Sequence, residues 1–174
     1  LEAAILATLD PGSYTAILQG QDGGSGVALV EIYDLSMASA SKPGNIATRA
    51  FVNTGNDIVI AGFILGNGAS NDKIVLRGIG PSLTAFGVPN ALANPSLELR
   101  DSSGTVLVAN DDWQDNAASA AELTALNLAP TNALESGIVS TLAPGAYTAL
   151  LSGVNNATGV GLVEVYDNPV AGPT

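Results

Sequence analysis

Side chains along this chain fall into sets two residues apart. Tyr14, Ala16 and Leu18 interleave with Thr15, Ile17 and Gln19, and Val27, Leu29, Glu31 and Tyr33 interleave with Ala28, Val30 and Ile32. A period of two is the signature of β-strands. Pro11-Gly12 and Pro144-Gly145 mark turns ahead of two Tyr-Thr-Ala strands, and Thr54-Gly55-Asn56-Asp57, Asn67 to Asp72 and Ser102-Ser103-Gly104 mark others. The pattern predicts strands near 46–53, 58–65, 73–79, 96–101, 105–109, 136–142, 146–152 and 159–166. Three more are predicted before residue 35. Residues 80–95 hold Pro81, Pro89 and Pro95 and read as a long loop. Only Ala117 to Leu126 reads as a helix, with Asn116 as its N-cap. Many short strands joined by Gly/Pro turns predict an all-β fold, an antiparallel β-sandwich or jelly roll. Ile58 to Leu65 is apolar on both faces, so it is expected to be central and covered or to contribute to an interface.

A repeat organises these strands. Residues 1–34 align without a gap to residues 134–167, with 19 of 34 positions identical. The intervening stretch occurs once. The reading is therefore the C-terminal part of one repeat unit (1–34, three strands), a joint (35–42), a complete unit (43–168) and a tail (169–174). The start at Leu1 and the lack of a signal peptide read as a processed product or a piece of a longer chain.

Composition removes function classes. The 174 residues include no His and no Cys, which excludes triads and metal sites built on them, and disulfides. Five Lys and Arg against sixteen Asp and Glu exclude nucleic-acid binding through a basic surface. No apolar run reaches the roughly 18 residues of a membrane helix. Without His or Cys an enzyme would need bare carboxylates or a Ser-Lys pair, and no enzyme is expected. Only 12% of the residues are charged, about half the usual fraction. All five cations lie between residues 42 and 100, while residues 1–41 carry five acids and no cation. Oppositely charged surfaces on one molecule suit head-to-tail contact, unless the fold mixes the segments and cancels the pattern.

The densest polar cluster is Asp101, Asn110, Asp111, Asp112 and Asp115. Hard oxygen ligands at short spacing suit Ca²⁺, and a solvated acidic loop with Asx turns is the plain alternative. Trp113, in the same loop, reads as a plug over apolar surface or a sugar platform. Glu31 and Glu164 stand at equivalent places within apolar strands, facing solvent or pairing with a cation across an interface.

Leu97 to Asp101, Ser103-Gly104, Val108 to Asp112 and Pro144 to Tyr147 follow one another in an order that resembles the calcium-associated pre-peptidase C-terminal β-sandwich domain of secreted bacterial peptidases. The whole unit is similar to a tandem-repeat domain of large secreted proteins of environmental bacteria. Arg77 to Leu83, Asn110 to Trp113 and Val163 to Asp167 carry that resemblance. It implies a β-sandwich in an extracellular or cell-surface setting.

The expected function is an extracellular structural protein. Copies would assemble head to tail into a fibre or surface layer by strand addition from residues 1–34. The alternative is a calcium-binding accessory or adhesin module of a large secreted protein, with a glycan as further ligand.

Overall fold

The computed structural model describes residues 2–35, 44–66 and 71–167. The chain divides into two compact units, Leu1–Pro43 and Gly44–Thr174.

The second unit is a β-sandwich of eight strands. They are β1 (Asn45–Val52), β2 (Val59–Leu65), β3 (Asp72–Ile79), β4 (Pro95–Asp101), β5 (Val106–Asn110), β6 (Ser136–Leu142), β7 (Gly145–Gly153) and β8 (Gly159–Asp167), with one helix, α1 (Ala117–Ala125). One sheet has the order β1-β8-β3-β6 and the other β2-β7-β4-β5, all pairs antiparallel. Each of these elements lies within a residue of its expected bounds.

The turns form where Gly supplies a positive φ. Gly55 (φ 66°) and Gly104 (φ 84°) close the β1–β2 and β4–β5 turns. In the second, the amide of Gly104 donates to Asp101 O at 3.0 Å. The Asn116 side chain caps α1 by accepting from the amide of Ser119. Within the proline-rich stretch a 3-10 helix runs from Pro81 to Phe86 and ends on Gly87 at φ 75°. Leu92 then enters the core.

Alternate residues from both sheets meet in that core, including Val52, Phe63, Ile74, Leu76, Leu97, Leu99, Ile138, Leu151 and Val163. β3 is buried on both faces at Ile74, Val75 and Leu76, and Leu123 of α1 and Trp113 pack against Gly137 of the neighbouring β6. β2 is an edge strand. Val59, Ala61, Phe63 and Leu65 point into the core, and Ile60 and Ile64 are exposed on the outer face.

The first unit departs from expectation. Its described residues form no strand, only a 3-10 turn at Gln21–Gly23. The reason lies in the sheet order. The counterparts of this segment are β6, β7 and β8, and these three never pair with one another. β6 pairs with β3, β7 with β2 and β4, and β8 with β1 and β3. Residues 2–34 therefore carry strand sequences without the strands that would give them a ladder. The expected joint at 35–42 and tail at 169–174 lie almost wholly outside the described residues.

Candidate interaction site

Without a sheet, residues 2–34 still hold the local conformation of their counterparts. The Tyr14 hydroxyl donates to Asp10 O at 2.7 Å, as the Tyr147 hydroxyl does to Ala143 O at 2.8 Å. Asp22 (φ 54°) and Asn155 (φ 54°) each sit at the middle of a short 3-10 turn. A Cβ on Gly20 would lie 1.9 Å from Gly24 O, and one on Gly153 2.0 Å from Ala157 O, so only glycine fits either place. The Tyr33 hydroxyl donates to Glu31 Oε1 and the Tyr166 hydroxyl to Glu164 Oε1, both at 3.0 Å. Glu31 raises the Tyr33 phenol above its ordinary pKa through that hydrogen bond and its charge. Burial is the main cause of the rise at Tyr166, with the charge of Glu164 next.

The two copies differ in burial. Ile5, Leu18 and Ile32 are 93%, 51% and 69% exposed, whereas Ile138, Leu151 and Val165 are 1%, 0% and 6% exposed. Leu9 and Val30 are likewise exposed where Leu142 and Val163 are buried. Residues 2–34 thus expose apolar side chains whose counterparts are core.

The acidic residues of the two copies differ in the same way. Glu164 is buried, and Arg77 Nε donates to its Oε2 at 2.7 Å. Arg77 also donates to Leu128 O and the Tyr166 hydroxyl, and its guanidinium lies 5.4 Å from the Tyr166 ring centre. Glu135 is fully buried. Its Oε1 accepts from the amides of Gly80 (3.1 Å) and Ser82 (3.0 Å) and from the Ser82 hydroxyl (2.6 Å). The counterparts Glu31 and Glu2 are exposed. Glu2 and Glu135 were not singled out from the sequence, although their identity across the repeat was the available signal.

The acidic loop is dispersed. The antiparallel register sets Asn110 opposite Leu97, four residues before Asp101. The two ends of the hairpin are therefore about 13 Å apart, and the hairpin does not bring Asp101 to Asn110. Asp101 instead closes its own turn, accepting from the Ser103 hydroxyl and amide and the Thr105 amide. The Ser103 hydroxyl, followed by the Thr105 amide, holds its carboxyl below the ordinary value. Asn110 ties the loop to β6, accepting from the Gly137 amide at 2.8 Å and donating to Asp112 O at 2.8 Å. Asp111 and Asp115 are exposed, and Asp112 is half-buried. Among the described residues no group of three or more carboxylates is arranged to hold a metal ion. Trp113 is half-buried, with its Cβ against Gly137.

The charge segregation seen along the sequence is partly cancelled in space. Lys73 pairs with Glu122, Arg77 with Glu164 and Arg100 with Glu98. Residues 2–34 contain five acids and no lysine or arginine.

The strand pairing defines an antiparallel β-sandwich protein. No family model and no curated protein matches the chain. Among solved structures it is similar to the pre-peptidase C-terminal domain of collagenase from Bacillus anthracis. The identity is 14%, over 70% of this chain and 88% of that one, with a TM-score of 0.42. At those values the fold assignment stands on the chain's own pairing. Among the described residues no helix is long and apolar enough to cross a membrane.

Proposed function

We propose that this chain is an extracellular structural protein whose β-sandwich units join head to tail into a fibre or surface layer. Residues 2–34 of one copy supply strand material to the sandwich of the next. One observation carries this reading: the apolar side chains of residues 2–34 lie in the open, while their counterparts 133 residues later form core. Strand addition uses backbone hydrogen bonds for affinity and alternate side chains for fit. The edge of β2 is a suitable receiver, being uncharged over Val59–Leu65 and apolar on its outer face at Ile60 and Ile64. The calcium-module alternative has less to stand on, since Asp101 is held in its own turn away from the other acids.

Light scattering and negative-stain microscopy of the full chain test the proposal. Oligomers growing with concentration are expected, and Leu18→Asp with Val30→Asp should abolish them. A chain that stays monomeric at high concentration would overturn it.

A further inference from the structure

Residues 2–34 carry more than apolar strands. They keep Glu2 and Glu31, whose counterparts are the two buried carboxylates of the sandwich. A carboxylate taken out of water needs donors waiting for it. In the complete unit those donors come from β3 and the loop after it: Arg77 for Glu164, and Gly80 with Ser82 for Glu135. The segment is thus specified for a receiver that offers both sets of donors, which a bare strand edge does not.

This chain has one such receiver among its described residues, and residues 135–167 already occupy it. Insertion of residues 2–34 from another copy would release an equal set of strands and gain no net burial. The receiver must therefore be open.

It must also differ in shape from this chain's own. Ala4 and Ala28 stand where the complete unit has Gly137 and Gly161. A Cβ on Gly137 would lie 2.6 Å from Leu123 Cδ1 and 3.0 Å from Trp113 Cβ. A Cβ on Gly161 would lie 2.8 Å from Leu151 Cδ2 and 3.1 Å from Val52 Cγ2. Leu123, Leu151 and Val52 are fully buried; Leu151 corresponds to Leu18 of the segment itself, so the receiver's share of the fit at Ala28 is the 3.1 Å contact with Val52.

From these observations we infer that the partner of residues 2–34 is an open five-stranded receiver of the repeat's own type. It carries an arginine at the place of Arg77, a Gly-Pro-Ser loop at the place of Gly80–Ser82, and smaller side chains at the places of Leu123 and Val52. The inference rests on reading residues 2–34 as a strand donor, and it replaces the edge of another copy as the receiver.

Two alterations of the full chain test it. In the first, residues 44–133 carrying Leu123→Ala and Val52→Ala are added directly ahead of Leu1. Hydrogen exchange at the amides of Leu18 and Val30 is expected to slow by at least about a hundredfold. Glu31→Arg should remove that protection, and Arg77→Glu in the added copy should restore it. Free exchange at Leu18 and Val30 while residues 44–167 remain protected would overturn the inference.

The second needs no added unit. Residues 134–167 are replaced by the sequence of residues 1–34, a change at 15 positions. With glycine kept at 137 and 161 this chain should unfold cooperatively in urea, followed by the fluorescence of its single Trp113. With alanine at both places it should unfold at lower urea, and Leu123→Ala should recover part of the difference. A glycine version that does not fold would show that the segment does not fit such a receiver. An alanine version as stable as the glycine version would show that the receiver need not differ from this chain's own. Light scattering of the unaltered chain reads the head-to-tail proposal separately. Oligomers that grow with concentration and are abolished by Leu18→Asp with Val30→Asp would place residues 2–34 on another copy and overturn the open receiver, whereas a monomer overturns only the head-to-tail proposal.

Discussion

A single carboxylate shows how the sandwich is fastened. Glu135 is fully buried, yet three donors from Gly80 and Ser82 converge on one of its oxygens. Glu135→Ala leaves those donors facing a void and should destabilise the 44–167 unit by about 2–4 kcal/mol, read from urea unfolding. Glu135→Gln keeps an acceptor and should cost less. Tyr166 sets an alkaline limit. Burial and the charge of Glu164 raise its phenol above the ordinary value of 10.0. The unfolded state then loses this proton first, so the stabilisation is complete below pH about 10 and falls as pH rises through the folded value. Tyr166→Phe should remove that part of the alkaline loss, measurable as a flatter melting temperature above pH about 10. The role of Glu164 was open in the sequence as solvent exposure or cation pairing. The fold decides for pairing, but with Arg77 inside its own unit.

At the scale of elements, glycines and edges set the limits. Gly153 ends β7 against Ala157 O, where a Cβ has only 2.0 Å. Gly153→Ala should therefore lower stability by about 1–3 kcal/mol in urea unfolding. Ile64 projects from the outer face of an edge strand and is exposed. Ile64→Lys should leave stability within about 0.5 kcal/mol. It should weaken self-association in sedimentation measurements if β2 receives strands from another copy. The eight strands and α1 were legible because period-two patterning and Gly/Pro turns are local signals. The fate of β2 was not, because its apolar outer face is compatible with a central or an edge position, and only sheet order distinguishes them. The separation of Asp101 from Asn110 was not legible for a related reason. Nearness along a hairpin sequence is greatest at the turn, so Asp101 and Asn110, at the two far corners, are separated by the full length of β5.

At the scale of the molecule, two segments of matching strand sequence, 1–34 and 134–167, have different fates. Only Gly44–Thr174 contains the β1–β5 material that β6, β7 and β8 pair with. Amides such as Leu18 and Val30 should exchange at nearly free rates in dilute monomer, while Leu151 and Val163 exchange only on global unfolding of their unit. Equal protection at both sets in a monomer would contradict the description of the first unit. The all-β class, the positions of the eight strands of the second unit, the repeat and the local turns follow from sequence alone, and the turns recur in residues 2–34 without any sheet. These depend on φ/ψ preferences and side chains a few residues apart. Tertiary structure alone decided which strands became strands, which carboxylates were buried and which apolar side chains were left uncovered. A β-ladder and a core need partners distant in sequence, and residues 2–34 have the pattern for both without the partners.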